Sequence, residues 1–246
     1  MEALARLIGL LDLTTLGATD TEQEVQALAA RAISPVPGRP EIRCAAVCVW
    51  PNFAGTVSRA LDGSGVQTAC VAGAFPFSQA PLAVKVTEVR AAVEAGATEI
   101  DIAISRGLFL SGRHDESREE IAAMKTASGI AHLKVILETC DLPGDEAIRT
   151  ACRLALEGGA DFLKTSTGKG KHGATLPHTR LLLEAATEWN AAYGRSVGVK
   201  AAGGIRTVEE ALAYLDLAKT FFPEVTANHF RIGASTLLDS LVKMIS

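Results

Sequence analysis

The stretch Glu157-Gly-Gly-Ala-Asp-Phe-Leu-Lys-Thr-Ser-Thr-Gly-Lys169 decides the fold. Its first residue ends a run with helical spacing, in which Ile148, Ala151, Cys152 and Ala155 share one face. Gly158-Gly159 then stops the helix, and Ala160 to Leu163 reads as a short buried strand that finishes on Lys164. Glu94-Ala-Gly-Ala-Thr-Glu-Ile-Asp101 repeats the design, joining a helix end to a strand through Gly-Ala and finishing on a charge. Two such segments form a weak internal repeat of a helix–strand unit, the unit of a parallel α/β fold.

The same alternation covers most of the chain. Candidate strands are Leu10–Leu13, Cys44–Val49, Thr68–Gly73, Glu99–Ile104, Lys134–Glu138, Ala160–Lys164, Gly198–Lys200 and His229–Ile232. Most are apolar on both faces, as strands covered by helices must be. Helices are expected at the N-terminus and over 21–33, 81–95, 115–128, 145–157, 177–190 and 207–219, with a short one over 237–244. Thr21 with Glu24, and Thr207 with Glu210, have the spacing of a capping box. These elements predict one α/β domain over residues 1–246: a single (β/α)8 TIM barrel with an additional short N-terminal helix. An open doubly wound sheet is the rival.

Composition agrees with that reading. Of 246 residues, 48% are hydrophobic and only 5% aromatic, so the core rests on Ala, Leu, Ile and Val. The net charge of −4 and the lack of a long basic run disfavour nucleic acid as a partner. No stretch has the length of a membrane span, and Met1 to Leu11, with Glu2 and Arg6, does not read as a signal peptide. The five cysteines, Cys44, Cys48, Cys70, Cys140 and Cys152, contain no Cys-x-x-Cys pair and suit reduced thiols in a cytoplasmic protein.

Charges at strand ends carry the chemistry. Lysine at the end of a buried strand is costly unless used or paired. Lys200 follows the apolar residues Ser196 to Val199, and its strand is expected next but one to that of Lys164, so that both reach one mouth. A second ammonium and partial desolvation both favour a neutral Lys164, able to attack a carbonyl. Asp101 is expected on the same rim as a proton carrier, and Asp12, enclosed by leucines, as an orienting carboxylate. Glycines and hydroxyls gather on the late loops: Gly168 and Lys169; Gly203, Gly204 and Arg206; Gly233, Ser235 and Thr236 before the last helix. Backbone N–H groups there suit a phosphate. The Gly-x-x-x-x-Gly-Lys-Ser/Thr pattern is absent, which argues against a nucleotide P-loop.

Seven segments together resemble the deoxyribose-phosphate aldolases, class I aldolases of the DeoC type. They are Leu11-Asp-Leu-Thr-Thr-Leu16, Ala45-Ala-Val-Cys-Val-Trp-Pro51, Glu99-Ile-Asp101, Leu133-Lys-Val-Ile-Leu-Glu-Thr139, Asp161-Phe-Leu-Lys-Thr-Ser-Thr-Gly-Lys169, Val199-Lys-Ala-Ala-Gly-Gly-Ile-Arg206 and Arg231-Ile-Gly-Ala-Ser235. The resemblance implies a TIM barrel and reversible cleavage of 2-deoxy-D-ribose 5-phosphate to D-glyceraldehyde 3-phosphate and acetaldehyde, in the breakdown of deoxyribonucleotides and carbohydrates. It implies Lys164 as the Schiff-base lysine, Lys200 as the lysine that perturbs it, Asp101 in proton transfer and Asp12 near the substrate. Cys48 matches an active-site cysteine that the mechanism does not require. Thr14 and Thr167 join Gly168, Lys169, Gly203, Gly204, Arg206, Gly233, Ser235 and Thr236 in the substrate and phosphate set. Because the iminium is the electron sink, no metal and no cofactor is implied. The implied partners are a phosphorylated sugar and aldehydes, with no nucleic acid and no membrane, in a homo-oligomer, a dimer by preference.

Three departures stand out. Ala74-Phe-Pro-Phe-Ser78 lacks the glycine or aspartate often found after Phe-Pro, and Ile104-Ser-Arg-Gly107 differs from better-known forms of that loop. The sequence ends at Ser246 without the tyrosine-ended tail of some members, so proton transfer by such a tyrosine is not carried over. Alternatives are another Schiff-base aldolase with a ketose donor, a barrel isomerase without covalent attachment, and a phosphometabolite-binding protein.

Overall fold

Eight parallel strands close on themselves in sequence order, each hydrogen-bonded to the next and the eighth to the first. The structure, a computed structural model, describes residues 1–245. In chain order the elements are α1 (Glu2–Gly9), β1 (Leu11–Thr14), α2 (Glu22–Ile33), β2 (Ala46–Val49), α3 (Ala54–Ala60), β3 (Gln67–Ala72), α4 (Leu82–Glu94) and β4 (Glu99–Ala103). There follow α5 (Arg106–Leu110), α6 (His114–Ser128), β5 (His132–Ile136), α7 (Asp145–Glu157), β6 (Phe162–Lys164), α8 (Leu176–Tyr193), β7 (Gly198–Ala202), α9 (Val208–Lys219), β8 (Phe230–Ala234) and α10 (Leu237–Ile245). This is the (β/α)8 barrel with a short N-terminal helix. Among the described residues no helix is long and apolar enough to cross a membrane.

Alternation along each strand divides its side chains between two environments. Leu11 and Leu13, Ile100 and Ile102, Leu133 and Val135, and Phe230 and Ile232 face outward and pack with the helices in one continuous apolar shell. The alternate positions point into the barrel. There Ala46, Cys48, Ala69, Val71, Ala103 and Ile136 form a separate apolar cluster with Phe75. Seven other interior positions carry charge, with the Phe162 ring among them.

The two echoing segments have matching geometry. In each, a helix ends at the glutamate and a strand starts five residues on, at Glu99 or Phe162. Gly96 and Gly159 turn the chain with φ of 107° and 93°, values that a Cβ would disfavour. Both capping boxes form as the spacing predicts: Thr21 and Thr207 each accept from the backbone N–H of the glutamate three residues on, which reaches back to the cap.

Three expectations need correction. The strand of Lys200 is the immediate neighbour of that of Lys164, and the two lysines are register partners. Lys200 and Asp101 lie in mid-strand, below the rim where they were expected: β7 runs two residues past its expected end, to Ala202, and β4 continues to Ala103 within its expected range. The fifth strand covers His132–Ile136, so Lys134 sits inside it, and Glu138 lies beyond it in a left-handed conformation with φ of 51°. The helices α3 and α5 escape prediction because they are short, α3 holding Gly55, Thr56 and Ser58 and α5 holding Gly107, and tertiary packing decides them.

Replacing Thr21 or Thr207 by Ala should lower stability by about 1 kcal/mol, and the double variant by about the sum, because the caps belong to separate helices. Thermal melts that leave either single variant at the wild-type midpoint would show that the cap contributes nothing.

Candidate active site

Seven charged side chains fill the barrel interior: Asp12 from β1, Glu99 and Asp101 from β4, Lys134 from β5, Lys164 from β6, Lys200 from β7 and Arg231 from β8. Each is at most 4% exposed. Six of them form a closed ring of alternating sign. Glu99 meets Lys134 at 2.6 Å and Lys134 meets Asp101 at 2.9 Å. Asp101 meets Lys200 at 2.8 Å and Lys200 meets Asp12 at 2.6 Å. Asp12 meets Arg231 at 2.6 Å, and Arg231 returns to Glu99 at 2.9 Å. Lys134 and Arg231 also lie over the Phe162 ring, at 6.0 and 5.6 Å from its centroid.

Lys164 stands outside the ring. Its one carboxylate contact is Asp101 Oδ2 at 2.6 Å, the oxygen to which Lys200 also donates. Three carboxylates thus serve four cations, and Lys164 is the one in excess. The electrostatics follow. Burial lowers the Lys164 amine below its ordinary value; Asp101 opposes this, and Lys200 adds to it. For Lys200, burial alone would lower the ammonium, but Asp101 and Asp12 outweigh burial and hold it well above its ordinary value. Lys134 is raised for the same reason, burial being outweighed by Asp101 and Glu99.

The carboxylates show the converse. Burial would raise Asp101, but Lys134, Lys164 and Lys200 hold it well below the usual carboxylate range. Asp12 is likewise low, burial being outweighed by Lys200, Arg231 and Lys134. The stability these acids contribute is complete above the ordinary carboxylate pKa of about 4 and is lost as pH falls through their lowered folded values.

Above the ring lies a cavity of about 430 Å3 at the C-terminal end of the strands. Lys164 and Lys200 form its base, and Thr14, Thr167, Gly168, Lys169, Gly203, Gly204, Arg206, Gly233, Ser235 and Thr236 line its walls and lip. Every residue expected to bind substrate is therefore gathered here except Cys48, which lies 1% exposed in the interior apolar cluster. Burial raises the Cys48 thiol and keeps it neutral. Ser235 and Thr236, on that lip, immediately precede α10. A Cβ on Gly173 would lie 2.0 Å from the Gly203 carbonyl oxygen, so only glycine lets these two loops meet. Lys169 Nζ donates to the Leu16 carbonyl at 3.0 Å across the cavity.

Lys134, Glu99, Arg231 and Glu138 were not singled out from sequence. Lys134 and Arg231 share one signal, a charged residue between apolar neighbours in a strand, Leu133-Lys134-Val135 and Phe230-Arg231-Ile232, and Glu99 has another, its place two positions before Asp101 on the same face of the strand. Glu138 gives no periodic signal. Its buried carboxylate accepts from the Thr167 backbone N–H at 3.3 Å and from the Thr167 hydroxyl, and meets Arg106 at 3.4 Å. Among the described residues no cluster of three or more His, Cys, Asp or Glu side chains is placed to hold a metal ion.

Removing one member of the ring leaves buried charge without a partner. Lys134→Met should cost about 3–5 kcal/mol in denaturant or thermal unfolding. Lys125→Met breaks the partly exposed pair with Asp161 and should cost under about 1 kcal/mol. Equal losses in the two variants would mean that the interior ions are solvated like surface ones.

Comparison with known proteins agrees with this geometry. Residues 6–243 match the family model described as DeoC/LacD family aldolase. A Caenorhabditis elegans protein is 43% identical over 98% of this chain and 81% of its own length. Mouse deoxyribose-phosphate aldolase is 39% identical over 98% of this chain and 80% of its own length. A solved deoxyribose phosphate aldolase from Aeropyrum pernix, described as tetrameric, superposes with a TM-score of 0.78 at 28% identity, covering 100% of this chain and 94% of that one. The chain belongs to the DeoC/LacD family of aldolases.

Proposed function

We propose that this chain is a Schiff-base aldolase that reversibly cleaves 2-deoxy-D-ribose 5-phosphate to D-glyceraldehyde 3-phosphate and acetaldehyde. The observation that carries the reading is Lys164, the cation in excess of the interior carboxylates, at the base of a cavity whose lip suits a phosphate. Family membership and the mouse relative support the same reaction.

In the cleavage direction the open-chain sugar enters with its phosphate against the glycine turns, Ser235, Thr236 and the start of α10. The neutral Lys164 amine attacks C1 to give a carbinolamine, and loss of water gives an iminium. The C3 hydroxyl then gives up its proton, the C2–C3 bond breaks, and its electron pair moves into the iminium to form an enamine. Glyceraldehyde 3-phosphate leaves. A proton returns to C2, and water hydrolyses the iminium, releasing acetaldehyde and restoring the amine.

Proton traffic falls to Asp101 and Lys200, with Asp12 orienting Lys200 and the substrate. Asp101 contacts both Lys164 and Lys200, so a proton taken through water has a short path to either amine. Its low affinity for protons suits a relay that passes a proton on and does not retain it. Cys48 borders the acetaldehyde end without taking a step. Assembly as a homo-oligomer in the cytoplasm completes the proposal, with a dimer as the expected form.

Borohydride reduction in the presence of acetaldehyde should leave an ethyl group on the peptide containing Lys164, and Lys164→Ala should lose both adduct and turnover. A full adduct on Lys200 with Lys164 unmodified would reverse the two roles. Ser235→Asp should set a like charge against the phosphate and raise KM for deoxyribose 5-phosphate at least about tenfold more than for unphosphorylated deoxyribose. Equal losses on the two sugars would move the phosphate elsewhere.

A further inference from the structure

We infer that Glu99 and Arg231, at the N-terminal floor of the barrel, are positioning residues that close the ring of interior charges and so make Lys164 the lysine without a carboxylate of its own. The inference rests on the Schiff-base reading of Lys164 and extends it to two residues that do not border the substrate cavity.

The geometry is that of a closed circuit. Each cation of the ring bridges two carboxylates: Lys134 joins Glu99 to Asp101, Lys200 joins Asp101 to Asp12, and Arg231 joins Asp12 to Glu99. Three acids and three bases cancel before Lys164 is counted. Without Arg231 the ring opens and carries an excess negative charge, which a proton on Lys164 would neutralise. Without Glu99 the ring carries an excess positive charge, which opposes that proton. Without both, Lys134, Asp101, Lys200 and Asp12 still balance. The floor therefore acts on the Schiff-base amine through charge, with no contact to the reacting atoms.

Other groups near the two ends leave this balance intact. Around Lys164 the titratable neighbours are Asp101 on β4, Lys200 on β7 and Cys48 on β2, whose thiol stays neutral. Around Glu99 and Arg231 they are Asp12 and Lys134. Below these, Glu41, Arg43 and His132 share with them a cavity of about 560 Å3 that opens at the end of the barrel opposite the substrate. Lys134 keeps Asp101 at 2.9 Å and the Phe162 ring when Glu99 is replaced, so it retains its own proton.

The test follows the rate of reductive trapping of acetaldehyde on Lys164 against pH, with cyanoborohydride as reductant and the adduct located by peptide mass mapping. Its acid limb reports the amine fraction of Lys164. Arg231→Met should move that limb to higher pH by about one unit, the order expected for removing one charge from a buried cluster. Arg231→Lys keeps the charge and should hold the limb near its wild-type position. Glu99→Gln should move the limb to lower pH, and the double variant Glu99→Gln with Arg231→Met should return it to near wild type. A merely structural role would lower rates without this reversal of sign. An unmoved limb in Arg231→Met, or a double variant displaced as far as Arg231→Met alone, overturns the inference. Should Arg231→Met fail to fold, Glu99→Gln decides, and a limb unmoved or raised in that variant overturns it. Failure of the wild type to form any Lys164 adduct would instead remove the aldolase reading itself.

Discussion

One carboxylate shared among three lysines is the constraint around which this barrel is arranged. Asp101 accepts from Lys134 through one oxygen and from Lys164 and Lys200 through the other. All four groups are almost wholly buried, so each must find its counter-charge within the interior. Ordinary buried ion pairs satisfy both partners. Here the third lysine is left over, and burial, with Lys200 adding to it, lowers its affinity for a proton. The reactivity of Lys164 is thus a product of stoichiometry as much as of proximity.

Such an interior needs a rigid and dry container. A closed barrel supplies one because its strands have no free edge, and its outward faces are sealed by a continuous apolar shell of helices. Rigidity matters because a side chain that swung out to water would relieve the charge excess. Lys134, Lys200 and Arg231 are each held by at least two of the three carboxylates, which leaves little freedom to do so. At the mouth the loops are fixed in other ways. Glu138, in a left-handed conformation that costs about 1 kcal/mol or more, anchors Thr167 beside Gly168 and Lys169. The Gly173–Gly203 approach binds the sixth loop to the seventh.

Much of this was legible in the residue order. Helix stops at glycines, capping boxes and short apolar runs define the barrel, and Lys164 at its strand end, with the glycine turns after the late strands, defines the cavity. The ring itself was hidden for a physical reason. Alternation identifies a buried charge, as at Lys134 between Leu133 and Val135, but ring closure depends on the register of five strands and on the lengths of side chains crossing the interior. Placing Lys200 at a strand end went wrong because the residues after it, Ala201-Ala202, are small and extend the strand without a turn signal; Asp101 was set on the rim although the apolar run continuing through Ile102 and Ala103 already puts it in mid-strand. Glu138 lies in a loop, where no period exists to betray a buried carboxylate.

The interior is also divided. Charge comes from β1 and from β4 to β8, whereas β2 and β3 contribute Ala46, Cys48, Ala69 and Val71 to an apolar cluster that Phe75, Ala103 and Ile136 complete. A change of volume in the apolar cluster leaves the number of interior charges untouched, whereas a change among the charged residues also alters the floor of the cavity, where Lys164 and Lys200 lie. The packing of the cluster can in consequence drift under selection more freely than the charges can.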